Sequence, residues 1–153
     1  MILVPNSLPL LEPTMLRRLL ALAIFTSLSL PLAGDDKDES FDGTWVPVSA
    51  EMGGMKLPDE FLKTLKLVLK GDDYTVTIGD KTDKGTSKAD RKAKTLDITS
   101  TEGENKGKTM LAIYERKGDT LTVCYDVTGK ARPKEFKSPM NSPVLLVTYK
   151  KEK

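Results

Sequence analysis

The residue types in this chain that could do chemistry are a few carboxylates, one cysteine and a small set of aromatic side chains. The chain contains no histidine, which excludes a Ser-His-Asp triad, a Cys-His pair and any histidine-ligated metal site. Two carboxylate pairs, Asp72 with Asp73 and Glu102 with Glu104, could in principle serve glycosidase chemistry. Both pairs lie among glycines and lysines, a composition typical of solvated turns. We therefore expect no catalytic residues, no metal and no cofactor, and interpret the protein as a non-enzyme.

Cys124 is the single cysteine, so no disulfide can form within the chain. It lies in the alternating run 121–126, and we interpret it as a small, half-buried strand residue. No histidine is present to lower the pKa of its thiol, and its nearest charged neighbour, Asp126, would raise it. A reactive thiol is the less favoured alternative. A covalent dimer through Cys124 would require its strand to lie at an exposed edge.

Four aromatic side chains form the candidate ligand-binding site: Trp45, Tyr114, Tyr125 and Tyr149. Each lies in a segment in which apolar and polar residues alternate, so each can point into a β-rich fold. If that fold encloses a space, the four rings could line or cap a pocket for a small apolar molecule. The alternative is that they are ordinary core or closure residues.

The charge balance argues against a nucleic-acid partner. The chain of 153 residues carries 24 basic and 22 acidic side chains, a net charge of +2. Lysines alternate with aspartates and glutamates along the chain, and no basic stripe of the kind that a phosphate backbone requires is present. The charged residues therefore indicate an ordinary solvated surface.

The segment 15–34 has the three regions of a secretory signal peptide in order. Two arginines follow Met15, an apolar run covers 19–30, and the small pair Ala33 and Gly34 offers a cleavage site. The apolar run is shorter than the roughly 20 residues that a membrane-spanning helix needs. We predict cleavage, no stable membrane anchor afterwards, and export to the periplasm or the extracellular space.

The domain organisation follows from the predicted cleavage site at Ala33 and Gly34. Residues 1–34 are predicted to be the signal peptide, which forms a helix and has its true start at Met15. Residues 35–40 form an acidic linker, and residues 41–151 have the length of one domain.

In the mature chain, segments with the apolar–polar alternation of β-strands are separated by turn residues, and little of the sequence has a helical pattern. One short helix is expected at Pro58–Lys63, where proline precedes two acidic residues. Pro47 implies an edge position or a bulge in the first strand, because proline cannot donate a ladder hydrogen bond. The predicted strands are 43–50, 65–69, 74–78, 81–88, 95–99, 109–115, 120–125 and 143–149.

About eight short strands joined mainly by tight turns predict an all-β fold. We expect an up-and-down antiparallel barrel, since closure leaves no exposed edge, with a two-sheet sandwich as the alternative. The sequence does not decide between a filled and a hollow barrel. Alternation predicts an inward-facing set of Trp45, Leu67, Leu69, Val76, Ile78, Leu96, Ile98, Leu111, Ile113, Leu121, Val123, Leu145 and Val147.

The segment Phe41–Glu51, which contains Gly43-Thr-Trp45, resembles the opening strand of lipocalins. In that family a Gly-x-Trp unit begins the barrel, and the resemblance implies that the indole closes one end. An arginine of the last strand lies over the tryptophan in lipocalins, and here Lys150 or Lys151 would have to replace it.

A wider set of motifs resembles an uncharacterised family of short exported proteins from planctomycete bacteria that have a lipocalin-like domain. This resemblance implies a lipocalin-like barrel and no established activity. Its motifs are Gly43-Thr-Trp45, Ser49-Ala-Glu51, Gly53, Leu57-Pro58, Asp97-Ile-Thr99, Glu102-Gly103, Lys106-Gly-Lys108, Ile113-Tyr114, Gly118-Asp-Thr-Leu121, Arg132-Pro133 and Glu135-Phe136.

Two functions remain after these exclusions. The first is binding of a small hydrophobic ligand in the barrel. The second is a structural or protein-interaction module of the cell envelope that carries no ligand. The expected partner is accordingly a small apolar molecule or an envelope protein.

Overall fold

The structure, a computed structural model, describes residues 40–153. The predicted signal peptide and all but the last residue of the predicted acidic linker lie outside the described residues. Among the residues described, no helix has the length and the apolar character that crossing a membrane would need.

The described part of the chain forms nine strands and one helical turn, and eight of the strands close into a barrel. Barrel neighbours follow the order β1-β3-β4-β5-β6-β7-β8-β9, and β9 pairs back with β1. Every pairing is antiparallel, so the topology is up-and-down. The elements are β1 (Gly43–Met52), β2 (Met55–Lys56), α1 (Asp59–Leu62), β3 (Leu65–Lys70), β4 (Asp73–Ile78), β5 (Lys81–Asp90), β6 (Thr95–Glu102), β7 (Thr109–Lys117), β8 (Thr120–Asp126) and β9 (Val144–Lys151).

The contact between β1 and β9 closes the barrel and excludes the sandwich. It runs from the pair Trp45–Lys151 to the pair Met52–Leu145, and its register shifts between Pro47 and Ser49. Of the two alternatives predicted for Pro47, an edge position or a bulge, the structure shows the irregularity of a bulge. The predicted helix is confirmed as a single turn, and the two-residue strand β2, which pairs only with β1, was not predicted.

The inward-facing set was predicted correctly on most strands but wrongly on β7. There the buried positions are Ala112, Tyr114 and Arg116, while Leu111 and Ile113 are half-buried on the opposite face. A shift of one residue moves every side chain of a strand to the other face. Because β7 carries apolar residues on both faces, its alternation does not reveal which face is inside.

The long connection between β8 and β9, residues 127–143, covers part of the outer surface, and we call it the outer segment. The Arg132 guanidinium donates to the backbone oxygens of Leu96 and Ala112, at 2.9 and 2.7 Å. At the start of the outer segment, the Asp126 carboxylate accepts hydrogen bonds from the hydroxyl and the N–H of Thr128. These bonds hold the pKa of Asp126 below its usual value. The outer segment is thus bonded to the backbone of β7, whose outward-facing Leu111 and Ile113 are half-buried.

Cys124 points outward beneath the outer segment. It is fully buried rather than half-buried, and its Sγ lies 3.5 Å from the Lys137 carbonyl oxygen. Burial raises the pKa of the thiol. Since β8 is paired on both sides, Cys124 does not lie at a sheet edge.

The side chains of residues 40–153 leave part of the interior unfilled, and β5 contributes small side chains to the wall of this space. Asp83, Ser87 and Ala89 face the interior, as does Gly85 between them by strand alternation. A Cβ atom on Gly85 would overlap the Thr99 carbonyl oxygen and approach the Tyr74 ring to 2.8 Å. Glycine at this position therefore allows β5 and β6 to approach each other closely beside Tyr74.

Candidate functional site

The barrel encloses a cavity of about 700 Å³. Alternation along β3, β4, β6, β8 and β9 directs one side chain in two toward it. The cavity wall is therefore mainly aliphatic. It includes six leucines, namely Leu65, Leu67, Leu69, Leu96, Leu121 and Leu145.

A buried polar group interrupts this aliphatic wall on the side of β4, β5 and β6. The Tyr74 hydroxyl donates to Asp83 Oδ2 at 2.6 Å, and the Ser100 hydroxyl donates to Asp83 Oδ1 at 2.8 Å. Burial and the hydrogen bond to Asp83 raise the pKa of Tyr74 well above its ordinary value. Both carboxylate oxygens of Asp83 therefore already have a protein donor.

A second polar group lies on the side of β8 and β9. The hydroxyls of Tyr125 and Tyr149 are 3.3 Å apart, and either can donate to the other. Burial raises the pKa of Tyr149 to about 12 and that of Tyr125 well above its ordinary value. At neutral pH both phenols are protonated and act as neutral hydrogen-bonding groups in the cavity wall.

These pKa values predict that the protein loses stability at alkaline pH. A phenol whose pKa is raised in the folded state binds its proton more tightly than the unfolded chain does. The stability it contributes is complete below about pH 10, the unfolded pKa, and declines as the pH rises toward about 12, the value for folded Tyr149. Parallel alkaline titrations of tyrosinate absorbance and near-ultraviolet circular dichroism should therefore change together. Ionisation of all four tyrosines with an unchanged dichroism signal would contradict the burial of these phenols.

The structure divides the four predicted site residues into two pairs. Tyr125 and Tyr149 lie in the cavity wall, whereas Trp45 and Tyr114 do not contribute to it. Sequence reasoning missed Tyr74, Asp83 and Ser100 as wall residues. The alternation of Tyr74 with Val76 and Ile78 could have indicated that Tyr74 faces the interior. The polar composition of β5 gave no indication that Asp83 points inward.

Trp45 and Tyr114 belong instead to a group at the end of the barrel where β1 begins. The Trp45 indole N–H donates to the Phe41 carbonyl oxygen at 2.8 Å. The Phe41 ring meets the Tyr114 ring edge to face, with centroids 5.2 Å apart. We call this group the closing cluster, and its members are Phe41, Trp45, Tyr114, Arg116 and Lys151.

Two cations lie over the Trp45 ring in the closing cluster. The Arg116 guanidinium carbon is 5.4 Å from the ring centroid, and Lys151 Nζ is 5.7 Å from it, within the range of a cation–π interaction. Arg116 is only 7% exposed and donates to the carbonyl oxygens of Gly118 and Ser40, at 3.0 and 2.7 Å. The expected lysine contact is confirmed for Lys151, and sequence reasoning missed Arg116.

The segment before β1 connects the closing cluster to the cavity. Ser40, Phe41 and Asp42 all contribute to the cavity wall. The Asp42 carboxylate accepts a hydrogen bond of 2.7 Å from the Gly71 N–H in the turn between β3 and β4, and this bond lowers the pKa of Asp42. Residues 40–42 thus lie against this end of the cavity.

Of the carboxylates considered for catalysis, Glu102 and Glu104 form exposed ion pairs, and Asp72 and Asp73 are exposed where β4 begins. Glu104 pairs with Lys81 at 2.8 Å, and Glu102 pairs with Lys84 at 3.3 Å. Within residues 40–153, no three acidic, cysteine or histidine side chains converge as a metal-binding set.

These observations define a closed eight-stranded antiparallel barrel with an internal, mainly apolar cavity. No protein-family model matches the chain, and no curated protein matches it. Among solved structures, the chain is similar to a crystal structure of a DUF4847 family protein from Bacteroides vulgatus, with 16% sequence identity and a TM-score of 0.46. The alignment covers 73% of this chain and 95% of that one.

Proposed function

We propose that this protein is an exported carrier that holds a small hydrophobic molecule inside its barrel. The observation that supports the proposal is the cavity of about 700 Å³. Small-molecule sites commonly occupy about 300–1,000 Å³ and combine apolar walls with a few polar groups. The six leucines and the two polar groups of this wall match that composition.

The cavity wall has apolar surface against which no side chain of residues 40–153 is packed. Protein interiors are normally close-packed, and an unfilled space loses the dispersion contacts that its lining could make. A bound apolar molecule would restore those contacts and remove its own surface from water. Binding is therefore expected to be driven mainly by shape and apolar contact.

The proposed location is the periplasm or the extracellular space, with no stable membrane anchor after cleavage. It is supported by the signal-peptide pattern of residues 15–34. The proposed family is the uncharacterised group of exported planctomycete proteins with a lipocalin-like domain, supported by the Gly43-Thr-Trp45 motif and by the cations over Trp45. We further propose that the protein is not an enzyme and does not bind nucleic acid.

Titration with N-phenyl-1-naphthylamine, a neutral apolar dye, tests the proposal. We expect saturable binding at one dye per chain and an increase in dye emission, because the dye leaves water for the cavity. The same titration in the presence of excess aliphatic alcohol should show competition. Absence of saturable binding by folded protein would contradict a carrier role and favour the structural or interaction module of the envelope.

A further inference from the structure

We infer that the ligand is a neutral, largely apolar molecule with a carbonyl-type oxygen that accepts a hydrogen bond from the Tyr125–Tyr149 hydroxyl pair. This inference rests on the proposed carrier function and adds the chemical class of the ligand.

A count of hydrogen atoms identifies the donor. Two hydroxyls have two protons, and the contact between Tyr125 and Tyr149 uses only one of them. Whichever phenol accepts in this contact keeps an O–H that the pair itself does not use. Both rings are part of the cavity wall, so this proton is available to a molecule inside it.

The other buried polar side chains of the cavity wall are already engaged. Tyr74 and Ser100 both donate to Asp83, so their single protons are used. An apolar ligand with one accepting oxygen would complete the hydrogen bonding at the tyrosine pair. A pure hydrocarbon would leave that O–H without a partner, which carries a desolvation cost.

The charges in the wall favour a neutral ligand. The basic side chains of the wall are Arg91 and Lys108, and both are exposed in the turns at either end of β6. Arg91 also lies over the Phe41 ring, at 5.3 Å from its centroid. Of the charged wall residues, Asp83 is the one that lies on a strand of the barrel. An anionic head group inside the barrel would therefore lie near the Asp83 carboxylate, whereas the cations of the wall lie in its exposed turns.

A cationic ligand is also disfavoured, because it would lose its hydration against a mainly aliphatic wall. It would also have to share the Asp83 carboxylate with the Tyr74 and Ser100 hydroxyls. A carbonyl-type oxygen of a ketone, ester or quinone carries no charge and accepts the hydrogen bond that the tyrosine pair offers.

Three ligands with the same ring system test the inference. They are 2-acetylnaphthalene, which has a carbonyl acceptor, 2-ethylnaphthalene, which has none, and 2-naphthoate, which is an anion. The dissociation constant of each is measured by displacement of the dye, in the unmodified protein and in Tyr125→Phe, Tyr149→Phe and the double variant. Tyr114→Phe, which removes a hydroxyl outside the cavity wall, is the matched control.

The quantity compared between variants is the ratio of the dissociation constant of 2-acetylnaphthalene to that of 2-ethylnaphthalene. Each single variant keeps one hydroxyl with a free proton, so its ratio should stay close to that of the unmodified protein. The double variant has no donor at this position, so its relative preference for the acetyl compound should fall about tenfold. Naphthoate should bind more weakly than the acetyl compound to the unmodified protein. An unchanged ratio in the double variant, or tighter binding of naphthoate, would overturn the inference.

The carbonyl stretching frequency of bound 2-acetylnaphthalene gives a second measurement that needs no variant. A hydrogen bond lowers this frequency relative to that in hexane, and we expect the lowered value in the unmodified protein. A hexane-like frequency would overturn the inference even if the double variant does not fold. Binding of 2-ethylnaphthalene distinguishes failure of the ligand inference from failure of the carrier function. If 2-ethylnaphthalene binds but the carbonyl contact is absent, the carrier function stands and the inference fails. If neither neutral compound binds, the carrier function itself fails.

Discussion

Trp45→Ala is expected to lower the free energy of unfolding by about 3–5 kcal/mol, the range for deletion of a buried aromatic side chain. Trp45 is 0% exposed and its indole N–H has a backbone acceptor in Phe41. Its ring also supports the Arg116 guanidinium, which in turn binds the Ser40 carbonyl oxygen. Removal of the ring therefore removes packing at the barrel closure and loosens the segment before β1.

Urea unfolding followed by far-ultraviolet circular dichroism measures this loss. Val48→Ala is the control on the same strand, because Val48 is 51% exposed, and its effect should stay within about 0.5 kcal/mol, as for ordinary surface changes. If the two variants lose similar stability, the closing cluster does not hold this end of the barrel together.

Val76→Trp is expected to weaken dye binding at least about tenfold while the protein stays folded. Val76 faces the cavity from β4, so a larger ring at this position occupies the space that a ligand would use. In a hollow barrel the added ring fits with little strain. In a filled barrel the same change would overpack the core and cost about 1–3 kcal/mol.

The neighbouring residue Thr77 supplies the matched control. It lies on the same strand with its side chain on the opposite face, so Thr77→Trp adds the same ring outside the cavity. Dye affinity should be unchanged in this variant, and both variants are first checked by thermal unfolding. Equal dye affinity in the two folded variants would show that the dye does not bind within the barrel.

The architecture was predictable because the local signals agree with one another. Alternation defines the strands, glycine turns such as Gly71 and Gly118 connect neighbours, and Pro47 marks the bulge. The strand order of an up-and-down barrel then follows from sequence order. This agreement fails on β7, which carries apolar residues on both faces, with Leu111 and Ile113 half-buried on the outer one.

The site was predictable only in part, for two physical reasons. The hollow interior depends on the inward side of β5, where Gly85, Ser87 and Ala89 have the composition of a solvated strand. The closure depends on Arg116, a charged side chain buried against Trp45, and single-sequence patterns favour exposure for arginine. Tyr125 and Tyr149 were predicted because an aromatic residue in an alternating strand points inward whether it lines a pocket or belongs to an ordinary core.

The most direct test of the carrier function is native mass spectrometry of the protein recovered from the envelope of its own host, compared with its mass after denaturation. The carrier function predicts that the native mass exceeds the denatured mass and that the excess is released on denaturation as a small molecule. The ligand inference predicts that this molecule is neutral and contains a carbonyl oxygen. Equal native and denatured masses, in a protein that also fails to bind the dye, would contradict the proposed function. A doubled native mass without a released small molecule would identify a protein interface instead.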